Sequence, residues 1–223
     1  MAPADVSLAS GRLGEGGVSG AGWQAGVVPE MPAVARALVT SSAYRLIARR
    51  VVLPWVLQGE HPCGEGLEIG AGSGAMAAQL LAAFPGLQMV VTDYDAAMVA
   101  AAQRTLAPFG DRASAQRADA TRLPFDGGRF DFVLSAAMLH HVGAWENALA
   151  EALRVLRPGG LLLGYDLLDT APARLLHFSE GHATRLLRPA QLEAELAALA
   201  AVNVRVRPGI ANLAVRFAAS KAP

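Results

Sequence analysis

The chain has 223 residues, with 19 Lys plus Arg balanced by 19 Asp plus Glu and a pI near 7.0. Charge this even, with the arginines scattered rather than massed, leaves no electrostatic footprint for DNA or RNA. Hydrophobic residues make up 53% of the chain and mean hydropathy is +0.32, yet no run approaches the ~20 apolar residues of a membrane-spanning helix. The excess apolarity points to a lipophilic substrate pocket, a subunit interface such as that of a homodimer, or both. A single cysteine, Cys63, excludes an intramolecular disulfide and a cysteine-based metal cluster. It precedes the first expected strand and is read as incidental. The length suits one α/β domain with a helical preface.

Residues 1–28 are rich in Gly, Ala and Ser without periodicity, the composition of a flexible tail. No basic segment followed by an apolar core stands there, so no secretory leader is expected and a cytoplasmic location is the default. From Pro32, the residues Val34, Leu38, Leu46, Ile47 and Val51 keep helical spacing, and Pro54 sets off Trp55-Val56-Leu57. Residues 29–60 are therefore expected to form a helical cover, and 61–223 the main domain. Tyr44, Arg45, Arg49 and Arg50 make one side of that cover basic.

The decisive stretch is Leu67-Glu68-Ile69-Gly70-Ala71-Gly72-Ser73-Gly74. It reads as a short buried strand, a tight glycine turn, and then an alanine-rich helix whose first N–H groups face the turn. A carboxylate on a central parallel strand is costly unless paired or solvated. Glu68 stands at the strand end, where open α/β sheets bind ligands. It is either satisfied by backbone N–H groups or the counter-charge for a cationic ligand group, and the second reading is favoured.

A helix to Phe84 ends at Pro85-Gly86, and the second strand, Leu87–Thr92, runs into Asp93-Tyr94-Asp95. An acid about 20 residues after the glycine turn, at the end of the second strand, is placed for the vicinal hydroxyls of a ribose. Asp93 takes that role. Asp95 is placed to cap the helix Ala96–Ala107. Ser114–Arg117 is a weak third strand leading into Ala118-Asp119-Ala120-Thr121. Phe130–Ser135 is the fourth, followed by the loop Ala136-Ala137-Met138-Leu139-His140-His141-Val142. A helix, Ala144–Leu156, ends in the turn Arg157-Pro158-Gly159-Gly160 before a fifth strand, 161–165. Residues 166–188 resist assignment. His177, Glu180 and His182 lie there, but their spacing matches no recognised ligand pattern, and no metal is assigned. A helix from Pro189 to Ala200 precedes a hairpin of Val202–Val206 and Asn212–Phe217, turning at Pro208-Gly209.

Glu68-x-Gly70-x-Gly72-x-Gly74 resembles the cofactor loop of class I S-adenosylmethionine-dependent methyltransferases. The segment around Asp119 and the run Val155-Leu156-Arg157-Pro158-Gly159-Gly160 resemble the same family, and Phe130-Asp131-Phe132-Val133 followed by Leu139-His140-His141-Val142 resembles its small-molecule, ubiquinone-biosynthesis-like branch. The resemblance implies a Rossmann-like, seven-stranded, mostly parallel sheet with helices on both faces and a C-terminal antiparallel hairpin. It implies S-adenosylmethionine as cofactor, S-adenosylhomocysteine as product, and a small-molecule methyl acceptor. By that resemblance Glu68 engages the methionine ammonium, and Gly70, Ala71, Gly72 and Gly74 pack against methionine and ribose. Tyr94 lies against the adenine. Asp119 accepts from the adenine amine and the Ala120 N–H meets a ring nitrogen. Ser135 and Ala136 give backbone contacts to the methionine end. His141, and less so His140, stands where a base would act. Met138, Tyr44, Arg45 and Arg49 stand toward the acceptor.

Two other readings stay open. Gly70-x-Gly72-x-x-Ala75 also satisfies a looser dinucleotide fingerprint, so a nicotinamide-dependent oxidoreductase is the first; it sets Glu68 against a pyrophosphate. A non-catalytic cofactor-binding or partner-binding protein on the same fold is the second.

Overall fold

The computed structural model describes residues 48–171, 174, 185–209 and 212–223. Among them seven strands form one sheet: β1 (Glu65–Ile69), β2 (Gln88–Asp93), β3 (Ala113–Arg117), β4 (Phe130–Ala136), β5 (Leu156–Leu167), β6 (Val202–Gly209) and β7 (Ala214–Ser220). The spatial order is β3-β2-β1-β4-β5-β7-β6. β1 to β5 pair in parallel, and β7 runs antiparallel to both β5 and β6. The expected Rossmann-like sheet with its C-terminal hairpin is present. The order reverses between β1 and β4, which opens a crevice at their carboxyl ends.

Side-chain alternation along these strands builds two cores. Leu67, Ile69, Val133, Val215 and Phe217 face α4 (Trp145–Val155) and α5 (Pro189–Ala198). Val91, Leu134, Leu163 and Tyr165 face α1 (Leu53–Leu57) and α2 (Ala75–Ala83), with Ala102 and Leu106 of α3 (Ala96–Leu106) in the same cluster. The short α1 is part of this second core. Leu53 and Val56 are buried, and Trp55 meets the edge of the Tyr165 ring at 5.9 Å. Pro54 sits in the first turn of α1, where its missing N–H costs nothing. The remainder of the expected helical cover, including Tyr44 and Arg45, and the tail lie outside the described residues.

Two boundaries differ from expectation for backbone reasons. β5 begins at Leu156 rather than Leu161 because Arg157–Gly160 bulges out of a strand that pairs on either side, Phe130 with Leu156 and Phe132 with Leu161. Backbone bonds between Gly159, Gly160 and Lys221 hold the bulge. β6 continues through Pro208-Gly209, where a turn is expected. It is an edge strand, so the N–H that proline lacks is not missed.

Candidate cofactor and acceptor site

The glycine turn is braced from β2. Ala71 N donates to Thr92 O at 2.9 Å, and Gly72 N donates to Asp93 Oδ2 at 2.8 Å. Gly70 and Gly72 both hold positive φ, 58° and 54°. They serve different ends. A Cβ on Gly70 would fall 2.7 Å from the Met138 side chain, so this glycine lets β1 and the β4 loop close on each other. A Cβ on Gly72 would meet nothing within 4 Å. Its bare backbone faces open space, the room a ligand needs.

Glu68 points to the opposite face from Leu67 and Ile69, under the first turn of α2. It is 1% exposed, and its Oε2 accepts from Ala77 N at 2.9 Å. Burial pushes its carboxyl up to about 8, against the helping Ala77 bond, and the nearby Asp93 charge adds to the rise. Asp93 braces the turn through one oxygen and accepts from Asp95 N through the other, at 2.9 Å. Desolvation raises its carboxyl above the ordinary range, while backbone bonds from Asp95 and Gly72 act the other way. Each oxygen keeps acceptor capacity for a further donor. Asp95 caps α3 as expected, accepting from Ala97 N at 2.7 Å.

Tyr94 is half-buried. The Arg117 guanidinium lies 5.1 Å from its ring centroid, and Arg117 Nε donates to Tyr94 O at 2.8 Å. Asp119 closes a tight turn: its Oδ1 accepts from both the Thr121 amide at 2.8 Å and hydroxyl at 2.7 Å. Ala120 is buried beside it. Ala118 N donates to Asp93 O at 3.0 Å, which ties this segment to the β2 end.

On the other side of the crevice, Ser135 pairs in register with Ile69. Its Oγ is buried without a hydrogen-bond partner. Ala136 is half-buried, and Ala137 adopts φ 52° with its N–H on Tyr165 O at 2.8 Å. Met138 is buried and leads into the 3₁₀ turn Leu139–His141. His140 is 2% exposed, and its Nδ1 lies 2.5 Å from Oδ1 of the fully buried Asp166. That carboxylate also accepts from Leu139 N at 2.7 Å and Leu167 N at 2.6 Å. A carboxylate offers acceptors only, so the pairing fits a tautomer with the hydrogen on Nδ1. His141 is half-buried, its ring 3.9 Å from that of His140.

The structure thus brings Glu68, the glycine turn, Asp93 and the Asp119 turn together around the β1 and β2 ends, with Ser135 and the histidines on the β4 side. Arg49 lies in the π-helical turn Ala48–Val52. Tyr44, Arg45, His177, Glu180 and His182 lie outside the described residues. Asp166 escaped the sequence reading. Its signal was an acid directly after the apolar run Leu161–Tyr165, where a buried strand rarely tolerates one.

These residues fit the expected cofactor on three observations. Among the described residues, Gly72 faces open space, Ser135 holds a buried hydroxyl with no partner, and Glu68 is a buried acid with no cation beside it.

Comparison with known proteins gives a consistent result. A family model described as a methyltransferase domain matches residues 67–164. The demethylmenaquinone methyltransferase of Thermus thermophilus is 37% identical over 97 residues, 44% of this chain and 44% of that protein. The ubiquinone/menaquinone biosynthesis C-methyltransferase of Desulfotalea psychrophila is 32% identical over 114 residues, 51% of this chain and 44% of that protein. The chain therefore spans less than half the length of these curated relatives. Among solved structures, Haemonchus contortus phosphoethanolamine N-methyltransferase 2, bound to phosphomonomethylethanolamine and S-adenosylhomocysteine, superposes with a TM-score of 0.67 at 19% identity. That likeness, over 82% of this chain and 53% of the other, is one of fold. No described helix is long and apolar enough to cross a membrane.

Proposed function

We propose, from the premise that this chain carries a class I S-adenosylmethionine-dependent methyltransferase domain, that it transfers the cofactor's methyl group to an oxygen, nitrogen or carbon nucleophile of a small molecule. The observation that carries this reading is the buried Glu68 carboxyl beneath an open glycine turn, its pKa raised first by burial and then by the nearby Asp93. A cationic ligand end gives that carboxyl a charge partner. A dinucleotide pyrophosphate sets an anion against it, which favours the methyltransferase reading over the oxidoreductase one.

In this reading Glu68 meets the ammonium end of the cofactor. Gly70, Ala71, Gly72 and Gly74 give backbone approach, and Asp93 accepts from the ribose hydroxyls. Tyr94, Asp119 and the Ala120 N–H hold the adenine, and Ser135 and Ala136 border the methionine end. The cofactor supplies an already activated methyl group, so the chain's task is positioning and exclusion of water. Where the acceptor must lose a proton, His141 or His140 receives it. Asp166 is the positioning residue of His140: it holds the ring and stabilises charge formed on it. His141 and Met138 lie beside it on the acceptor side. The relatives named for menaquinone and ubiquinone methylation favour an apolar acceptor whose carbon or oxygen is activated by loss of a proton.

Calorimetric titration of S-adenosylmethionine, S-adenosylhomocysteine and NAD(H) into the protein tests the cofactor, with Asp93→Ala as control. Binding of the first two, lost in the variant and absent for NAD(H), is expected. Binding of NAD(H) alone would overturn the reading. Transfer of labelled methyl to demethylated quinols and related phenols then tests the acceptor class.

A further inference from the structure

The turn that carries Asp119 is closed by its own bonds to Thr121 and Arg122, and the segment that follows it, Leu123 to Phe125, is held from outside by one ion pair on α4. Glu151 Oε2 accepts from Leu123 N at 2.8 Å. Arg154 donates to Phe125 O at 2.9 Å and to Leu123 O at 3.1 Å. The two side chains lock each other through Arg154 Nε to Glu151 Oε1 at 2.6 Å and a second N–H to Oε2 at 2.9 Å. The pairing holds the Glu151 carboxyl below its ordinary value. The backbone adds to the tie, since Gly128 N donates to Arg154 O at 3.1 Å and Arg129 N to Val155 O at 2.8 Å. Within the turn, Arg122 N donates to Asp119 O at 3.0 Å, so a shift at Leu123 is transmitted directly to Asp119.

We propose that the Glu151–Arg154 pair is a positioning clasp for base recognition: it sets the height and angle of the Asp119–Ala120 edge and thereby the cofactor site's selectivity for adenine. This rests on the reading of Asp119 and Ala120 as the adenine contacts. The chemistry explains why a clasp is needed. Adenine offers an exocyclic amine donor next to a ring-nitrogen acceptor. Hypoxanthine offers a carbonyl acceptor next to an N–H donor. A carboxylate beside a backbone N–H accepts the first pattern and opposes the second at both positions, but only while the two groups are held at a fixed spacing. The turn sets its own shape, and the α4 pair sets where its far end, from Leu123 onward, is anchored. Arginine suits the task because its planar fork serves two carbonyls and a carboxylate together, which an ammonium does not.

The test compares calorimetric affinities for S-adenosylhomocysteine and S-inosylhomocysteine in wild type, Glu151→Gln, Arg154→Lys and Asp119→Asn. Wild type is expected to favour the adenine compound strongly. Both clasp variants are expected to bind it about tenfold more weakly and to lose most of the preference for it over the hypoxanthine compound, as Asp119→Asn does. Glu151→Gln keeps shape and one acceptor oxygen, so loss of fold in the arginine variant does not remove the test. A role in stability alone would lower the melting temperature of the clasp variants and leave the preference unchanged. That result, with the preference lost in Asp119→Asn, overturns the clasp and spares the reading of Asp119. An unchanged preference in Asp119→Asn overturns that reading and the clasp with it.

Discussion

The two sides of the crevice are built on different principles. On the β1–β2 side, functional groups are held by backbone turns: Asp93 is bonded to Gly72 and Asp95, and Glu68 to the first turn of α2. On the β4–β5 side, the central group is held by a side chain from another strand, His140 by Asp166 across 26 residues. The first arrangement recurs wherever strand, glycine turn and helix follow one another. The second depends on two strand ends meeting in register. Removing a brace on one side should therefore cost cofactor affinity. On the other side it should cost transfer rate.

The largest effect is expected for Asp93→Ala. It removes the acceptor of two backbone N–H bonds and, in the proposed reading, of the ribose hydroxyls together. Bonds to charged groups contribute about 1.5–3 kcal/mol each, so S-adenosylhomocysteine affinity should fall on the order of a hundredfold or more by calorimetry. Retained affinity would erase the contrast drawn for the cofactor side.

Next come the two members of the buried pair. His140→Ala leaves the Asp166 carboxylate without its main partner in a fully buried place, and about 3 kcal/mol of stability should be lost in urea unfolding. Asp166→Asn should keep cofactor affinity and lower methyl transfer by about tenfold or more, with a shifted pH–rate profile, because the amide removes the negative charge that stabilises a protonated ring. A drop in cofactor affinity with an unaltered profile would assign the pair to folding instead.

A third prediction concerns protons. Glu68 is raised to about 8 by burial, so the ligand-free domain holds its proton at neutral pH. The folded-state value exceeds the unfolded one. The stabilisation due to the neutral carboxyl is therefore fully present below about 4.5 and is lost as pH rises through about 8. A cationic ligand reverses the preference, so binding near pH 7 should release close to one proton. Titrations in buffers of different ionisation enthalpy measure this. Glu68→Gln should abolish the release, flatten stability across that pH window and weaken binding. Unchanged proton release in the variant would locate it elsewhere.

The smallest effect is expected for Asp95→Ala, which removes the cap on α3. About 1 kcal/mol, read as a fall of a few degrees in melting temperature, is the usual cost of such a cap.

Much of this was legible in the chain because the cofactor half is local. Glycine spacing dictates a turn, the residue after a strand sits at its end, and an aspartate before an alanine-rich run caps a helix. That logic puts Glu68 and Asp93 at strand ends and Asp95 at a helix cap, the positions they hold in the fold. The hydroxyl of Ser135 was not legible: the residue was singled out for its backbone, and only strand pairing shows the side chain buried without a partner. The bulge at Arg157–Gly160 was read as a simple turn because a Pro-Gly-Gly run looks the same in either setting.

By itself the sequence determined the sheet class, the glycine turn and the acids that flank it, since each follows from residues within one strand–turn–helix unit. Only the tertiary structure decided that the His140 ring pairs with Asp166, and that one ion pair on α4 bonds Leu123 and Phe125 just past the Asp119 turn. Those choices rest on side chains brought together from positions 26 to 31 residues apart. Their meeting depends on strand register and helix packing, which no local pattern encodes.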